Sequence, residues 1–258
     1  MSVTNRDLLD FAVEVAWQAG KVTLEYFQTK LTPEIKSDQS PVTIADKRTE
    51  QTIRELICAK FPDHSIVGEE YGEQTGQSEY RWIIDPIDGT QSFIRGVPFY
   101  GVLIGIEKDD EIVVGVINYP ALGETLYAAT GEGCYWNGRR ANVSQVKDLG
   151  DALFLNTGVE LFYQTGRGKA YERLANATSR QRTWGDCYGY ALVATGRAEL
   201  MIDPIMKVWD CAPLLPIMRE AGGTFTDWKG VSTIRGGDSI ATNGFIVDEV
   251  FKLIQMDE

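Results

Sequence analysis

The segment Trp82-Ile83-Ile84-Asp85-Pro86-Ile87-Asp88-Gly89-Thr90 constrains this chain more than any other. A strand-sized apolar run delivers two aspartates three positions apart. Pro86 fixes the backbone between them and predicts that the strand ends before it. Gly89 permits a conformation, or a close approach, that a side chain would forbid. Thr90-Gln91-Ser92-Phe93 can begin a helical turn, whose backbone N–H groups would face an anion such as phosphate. One short segment thus offers hard oxygen donors for a divalent cation beside a phosphate cradle. The same residues are also good turn formers, so the segment alone leaves a plain polar turn open.

Helical and strand patterns alternate around it, which predicts a mixed α/β chain. A helix is predicted over residues 4–28, capped by Thr4 or Asn5, with Leu8, Phe11, Ala12, Val15, Ala19, Val22 and Phe27 at helical spacing. A second helix starts between Thr43 and Asp46 and runs to about Lys60. Strands are predicted over 65–68, 81–84, 102–107, 112–118, 125–130 and 133–136. An acidic loop covers 69–79, and Asn137-Gly138 is a strong hairpin-turn signal. Further on, strands are predicted at 153–157, 198–202 and 224–228, and helices at 169–178, 188–195, 210–221 and 248–254. At about 150 residues per domain the length allows one large domain or two small ones. No repeat, linker or composition shift marks a boundary. The chain therefore reads as one catalytic domain, 1–258, with room for two lobes at about 1–140 and 141–258.

Charge narrows the partners. With 25 basic and 37 acidic residues the net charge is −12. Such a chain repels a phosphate backbone, so no nucleic-acid partner is expected. The same charge suits a carboxylate site that holds a cation. No apolar run approaches the ~20 residues that span a bilayer, and no signal peptide is expected at the N-terminus, so no membrane role is expected. Cys58, Cys134, Cys187 and Cys211 form no C-x-x-C pair and read as reduced thiols of a cytoplasmic protein. The single histidine, His64, excludes a two-histidine zinc site. It reads as a loop residue near a helix end rather than as the base of a Ser-His or Cys-His mechanism.

Three more segments carry acids in telling places. Glu69 and Glu70 follow the short strand at 65–68. Asp210 opens an apolar helix, where it can cap the helix or turn its charge to a ligand. In Pro41-Val42-Thr43-Ile44-Ala45-Asp46, Thr43 or Asp46 can simply cap the second helix. Magnesium sites use few carboxylates together with waters and substrate phosphate. Two ions about 3.5–4 Å apart can serve both ends of an in-line displacement at phosphorus.

Together these segments resemble the inositol monophosphatase family of magnesium-dependent phosphomonoesterases. The first signature appears as Trp82 to Phe93. The second appears as Val208-Trp209-Asp210-Cys211-Ala212-Pro213, running on to Glu220-Ala221-Gly222-Gly223. The resemblance spans about residues 8–250 and implies an αβαβα sandwich, usually a homodimer. It implies that Glu69, Asp85 and the backbone carbonyl of Ile87 hold one Mg²⁺ and that Asp85, Asp88 and Asp210 hold a second. A third, weaker ion would sit near Glu69. Thr90 and Asp46 would orient and deprotonate the attacking water, with Glu69 also counted in the catalytic group. The backbone N–H groups of Gly89 and Thr90 would bind the phosphate. Lys36 would stand in a segment near the site.

The substrate end is similar to the histidinol-phosphate phosphatase branch. Gly185-Asp186-Cys187 stands where inositol-type enzymes usually carry Gly-Ser-Ala, and Asp203 where they usually carry Glu. Two carboxylates at the leaving-group pocket would suit a cationic alcohol. Histidinol carries an ammonium and an imidazole; inositol carries neither. Asp186 as a helix cap and Asp203 in an internal ion pair are the structural alternatives. Arg182 reads either as a substrate contact or as half of an ion pair. The expected substrate is a small phosphate monoester, with L-histidinol phosphate ahead of an inositol or sugar phosphate.

Overall fold

A computed structural model describes residues 3–36 and 40–256. The apolar runs of the first half form an eight-stranded sheet in the order β10-β9-β8-β7-β6-β5-β3-β4. A small ribbon, β1 (Glu34–Ile35) with β2 (Pro41–Val42), precedes it in the chain. The sheet comprises β3 (Ser65–Gly68), β4 (Gly72–Gln74), β5 (Tyr80–Asp88), β6 (Gly101–Lys108), β7 (Glu111–Tyr119), β8 (Glu124–Ala129), β9 (Gly133–Trp136) and β10 (Arg139–Arg140). The second half forms a five-stranded sheet in the order β12-β11-β13-β15-β14. Its strands are β11 (Leu153–Leu155), β12 (Arg180–Arg182), β13 (Leu200–Asp203), β14 (Thr224–Thr226) and β15 (Ser239–Thr242).

Strands β6 and β7 are buried along almost their whole length. A strand covered on both faces has no polar side to show, which is why they read as unbroken Ile, Val and Leu. The outer cover is α1 (Asn5–Tyr26) and α2 (Ile44–Lys60). They bury Leu8, Val15, Ile53 and Ile57 against Trp82, Ile104 and Val116. A one-turn helix, α3 (Thr90–Phe93), follows β5. Beyond the second sheet lie α4 (Val159–Gln164) and α5 (Gly168–Ala177). Between the sheets lie α6 (Asp186–Ala194) and α7 (Val208–Glu220), and α8 (Val247–Ile254) joins α4 and α5 on the far face. Tyr190, Val193, Leu214 and Ile217 fill the middle layer against Leu103 and Ile117 on one side and Met201 and Phe225 on the other. Phe162, Leu174 and Val250 close the far layer over Phe154, Leu200 and Ile202. The result is the αβαβα sandwich that the resemblance implied.

Local expectations hold where local chemistry decides. Thr4 caps α1 through a reciprocal pair with Asp7. Asn137 and Gly138 take positive φ (48° and 77°), the turn that matches the right-handed twist of a two-residue hairpin. Trp136 and Arg139 pair across it. Other elements depart from expectation. The acidic loop contains β4, which returns onto β3. Strands β12 and β15 and helix α4 had no apolar pattern long enough to announce them. β15 is four buried residues, of which only Ile240 and Ala241 are apolar, between β13 and β14.

Helix α7 sits unusually close to the first sheet. A Cβ at Gly115 of β7 would stand 2.2 Å from the Pro213 carbonyl oxygen, so backbone meets backbone there. Only glycine permits that approach. Pro213 and Pro216 lie inside the helix and remove two of its backbone donors.

Candidate active site

Side chains on a strand alternate between faces, so residues three apart point opposite ways. The structure resolves this for Asp85 and Asp88. Asp85 pairs with Leu103 and Asp88 with Gly101, three steps on β5 against two on β6. The extra residue is a β-bulge, and it turns both aspartates to one side. The expectation that the strand ends before Pro86 is therefore corrected. β5 runs to Asp88, and Pro86 falls within the bulge, where the ladder needs no donor from it. Asp85 Oδ1 accepts a hydrogen bond from Ile87 N (2.9 Å), which shapes the turn. Gly89 follows with φ +82°, a conformation that favours glycine.

Asp210 arrives from α7. As the third residue of that helix it accepts from Lys207 N (2.7 Å), so it serves the helix end with one oxygen. Carboxylate oxygens of Asp85, Asp88 and Asp210 lie within 4.8 Å of one another and could hold a metal ion. Asp88 Oδ2 also accepts from Cys187 N at the start of α6 (2.5 Å). Glu69 stands beside Asp85 at the end of β3, close enough to raise its pKa. Its loop is held by Glu50, a fully buried residue of α2. Glu50 accepts from the backbone N–H of Glu70 (2.7 Å) and of Tyr71 (3.1 Å) and pairs with Arg54 (2.8 Å). Lys36 donates to Glu69 (2.7 Å) and Glu70 (2.5 Å).

Crowding these acids has an electrostatic cost. Burial, then the charges of Glu69, Asp88 and Asp210, push Asp85 well above the usual carboxylate range. Burial and Asp210 push Asp88 up to about 7. Burial, with Glu69, does the same for Asp210, also to about 7. Burial likewise raises Glu70 to about 7. For Lys36, burial works against the charge, but hydrogen bonds to Glu69 and Glu70 outweigh it and raise its pKa. A cation among these oxygens would relieve the repulsion. The donors are all hard oxygens, which suits Mg²⁺ better than a thiolate- or imidazole-seeking metal.

Asp46 has two jobs. Its Oδ2 accepts from the Thr43 hydroxyl (2.6 Å) and Thr43 N (2.7 Å), closing the capping box of α2. Its Oδ1 faces Thr90 Oγ1 at 3.3 Å. Thr90 Oγ1 also lies 2.9 Å from the Ile87 carbonyl oxygen. Burial raises the pKa of Asp46 despite the bonds from Thr43.

A cavity of about 80 Å³ opens beside the acid cluster. It is lined by Asp88, Asp186, Asp203 and Asp210, with Thr157, Tyr190 and Met206 among the other walls, and, among the described residues, by no basic side chain. Asp203 ends β13 and is 2 % exposed. Its carboxylate accepts from Thr157 N (3.0 Å) and from the Tyr190 hydroxyl (3.0 Å). These bonds hold it down only in part, and burial lifts it to about 6. Asp203 is thus hydrogen-bonded but takes part in no ion pair among the described residues. Asp186 is the first residue of α6 and has φ +49°, which costs a non-glycine residue roughly 1–2 kcal/mol. Its N–H donates to Thr157 Oγ1 (2.8 Å), and its Oδ2 lies 3.4 Å from Ser92 Oγ. Burial, then Asp88 and Asp203, push its pKa well up.

The sequence model of the inositol monophosphatase family matches residues 4–254. The chain belongs to the inositol monophosphatase family. Among its curated relatives, the histidinol-phosphatase of Chlorobaculum parvum is 44% identical over 235 residues, 91% of each chain. The histidinol-phosphatase of Mycobacterium tuberculosis is 35% identical, over 95% of this chain and 97% of that one. Among solved structures, the extragenic suppressor protein suhB from Bartonella henselae superposes with a TM-score of 0.91 at 28% identity, covering 97% of this chain and 99% of that one.

In this member of the family the fold brings together Asp46, Glu69, Asp85, Ile87, Asp88, Gly89, Thr90, Asp186, Asp203 and Asp210 around one cluster and its adjoining cavity. Arg182 is not among them. It is exposed on the edge strand β12, where it donates to the Gln181 carbonyl oxygen (2.7 Å) and lies over the Trp184 ring. His64 is buried, accepts from Trp82 Nε1 (3.0 Å) and stacks on Phe61, a structural role at a helix end. Tyr190 closes the segment 185–190 that carries the branch resemblance, whereas Thr157 and Ser239 behind the cavity, and Glu50 and Arg54 behind Glu69, carry no motif in the sequence. Thr157, Ser239 and Glu50 act through partners distant in sequence, and no local spacing marks them; Arg54 pairs with Glu50 at i,i+4, an ordinary helix-face spacing. Among the described residues no helix is long and apolar enough to cross a membrane.

Proposed function

We propose that this protein is a Mg²⁺-dependent histidinol-phosphate phosphatase, hydrolysing L-histidinol phosphate to L-histidinol and phosphate. Membership of the family makes it a phosphoric monoester hydrolase acting on small phosphate monoesters. The observation that carries the finer reading is the cavity beside the cluster, walled by four carboxylates and, among the described residues, by no basic side chain. A neutral polyol can hydrogen-bond to such walls, but only an ammonium or imidazolium also neutralises their crowded negative charge. Two relatives named histidinol-phosphatase, at 44% and 35% identity, support the same reading.

Asp85, Asp88, Asp210, Glu69 and the Ile87 carbonyl would hold the metal. When bound, Mg²⁺ supplies positive charge to the phosphoryl oxygens and the leaving oxygen, and lowers the pKa of the attacking water. The residues of the chain do the rest. The Thr90 hydroxyl has one proton and two acceptors, Asp46 Oδ1 and the Ile87 carbonyl. When the Thr90 proton points to Asp46 Oδ1, a lone pair of Oγ1 is left to orient water; as Oγ1 takes a proton from that water, its own proton passes to Asp46. The backbone N–H groups of Gly89 and Thr90 would face the phosphate. Water oxygen then bonds to phosphorus, the bond from phosphorus to the alcohol oxygen breaks, and that oxygen takes up a proton from a solvent water, whose hydroxide the proton left on Asp46 neutralises. Asp186 and Asp203 would receive the cationic alcohol. We place the reaction in histidine biosynthesis, in the cytoplasm, and expect a homodimer.

The deciding experiment is phosphate release from L-histidinol phosphate and inositol-1-phosphate, each with Mg²⁺ and with EDTA. Mg²⁺-dependent preference for histidinol phosphate is expected. Preference for inositol-1-phosphate would leave the phosphatase chemistry standing and overturn the substrate.

A further inference from the structure

We propose that Thr157 is a positioning residue that fixes Asp186 and Asp203 as a pair and so sets the preference for a cationic leaving alcohol. The inference rests on the histidinol-phosphate reading and deepens it. Thr157 follows β11 and touches both acids by different atoms. Its backbone N–H donates to Asp203 Oδ1 (3.0 Å). Its side-chain Oγ1 accepts from the backbone N–H of Asp186 (2.8 Å). One residue therefore ties the end of β13 to the start of α6.

Asp186 needs such a tie. Its φ of +49° lies in the left-handed region that side-chain-bearing residues avoid. Like charges on Asp88 and Asp203 face it across the cavity. Left free, it would relax away from both. Its carboxylate is instead kept near the phosphate end: a Cβ built on Gly89 would lie 3.1 Å from Asp186 Oδ2. The turn has no slack on the other side, because a Cβ on Gly185 would lie 2.2 Å from Thr157 Cα. Tyr190 completes the frame from behind, its hydroxyl hydrogen-bonded to Asp203 Oδ2 (3.0 Å) and to Ser239 Oγ.

The division of labour makes the proposal separable. Thr157→Val keeps the backbone bond to Asp203 and removes only the acceptor for Asp186. The test measures kcat and KM for L-histidinol phosphate and inositol-1-phosphate in wild type, Thr157→Val, Thr157→Ser, Asp186→Asn and the Thr157→Val/Asp186→Asn pair. Thr157→Val is expected to cut the preference for the cationic ester by about tenfold, through KM. Thr157→Ser restores it, and Thr157→Val adds nothing to Asp186→Asn. Equal losses on both esters, an unchanged preference, or additive effects in the double variant overturn the proposal. If Thr157→Val does not fold, Thr157→Ala makes the same deletion without added bulk. A wild type that shows no preference for the cationic ester defeats the substrate reading instead. The positioning role is then decided by a crystal structure of the variant, where an unmoved Asp186 overturns it and a displaced one upholds it.

Discussion

The two halves of the site are built in opposite ways. On the metal side, three of the carboxylates do local structural work within a few residues of themselves, while Asp88 accepts from Cys187 N and Glu69 from Lys36, both far away in sequence. Asp85 shapes the turn to Ile87, Asp210 closes the first turn of α7, and Asp46 completes the capping box of α2. Each spends one oxygen on nearby backbone, which leaves the other free to face the cluster or, for Asp46, Thr90. On the cavity side, Asp186 and Asp203 are held by residues 29 and 46 positions away, through Thr157. Function that coincides with local folding chemistry is written in short motifs. Function that depends on tertiary placement is not. On the proposed reading, the first half carries the chemistry that any phosphate monoester needs, and the second chooses the alcohol.

Substitutions can break this contrast. The largest effect is expected on the metal side. Asp88→Asn or Asp210→Asn should lower kcat by at least about 10³-fold on both esters while the folded protein survives. Retained turnover in purified Asp88→Asn, with circular dichroism as the folding control, would overturn the metal assignment. Next in size is Asp203→Asn, expected to lower kcat/KM for L-histidinol phosphate by roughly 10–100-fold and far less for inositol-1-phosphate. Equal losses would remove the contrast between chemistry and choice.

The smallest effect is a pH dependence of stability. Asp88 and Asp210 rise to about 7 in the folded protein, from an ordinary carboxylate value near 3.8. Between about pH 4 and 7 the folded state then binds more protons than the unfolded chain, so these groups make stability fall as pH rises through that window. In EDTA, the melting temperature of wild type should drop more between pH 5.5 and 7.5 than that of Asp88→Asn. Mg²⁺ at pH 7.5 should recover the difference in wild type. Parallel pH curves for the two proteins would show that the cluster is not strained by its own charge.

The same contrast explains what could be read from sequence. The alternation of helices and strands follows from apolar runs and helical spacing, the αβαβα layering was implied only by the family resemblance, and Asn137-Gly138 announces its own turn. Asp85, Asp88 and Asp210 were legible because a proline, a glycine and a helix start flank them. Their convergence was not, since three residues along a regular strand separate two side chains rather than join them. Only the bulge, a property of β5 against β6, settles it. β15 was missed because a short central strand is stabilised by its neighbours rather than by its own four residues. Glu50 looks like any helix acid until Glu70 and Tyr71 fold onto it.

The contact between Gly115 and Pro213 has a bearing on how this site can persist. Asp210 rides on a helix whose main chain at Pro213 is seated against the main chain of the sheet at Gly115. Its distance from Asp85 and Asp88 is therefore referenced to the backbone rather than to the shapes of the surrounding hydrophobic groups. Leu, Ile and Val can exchange around it over generations, and the spacing of the acids need not drift. Gly115, like Gly105 against Ala212 on the neighbouring strand, is a position where that freedom stops.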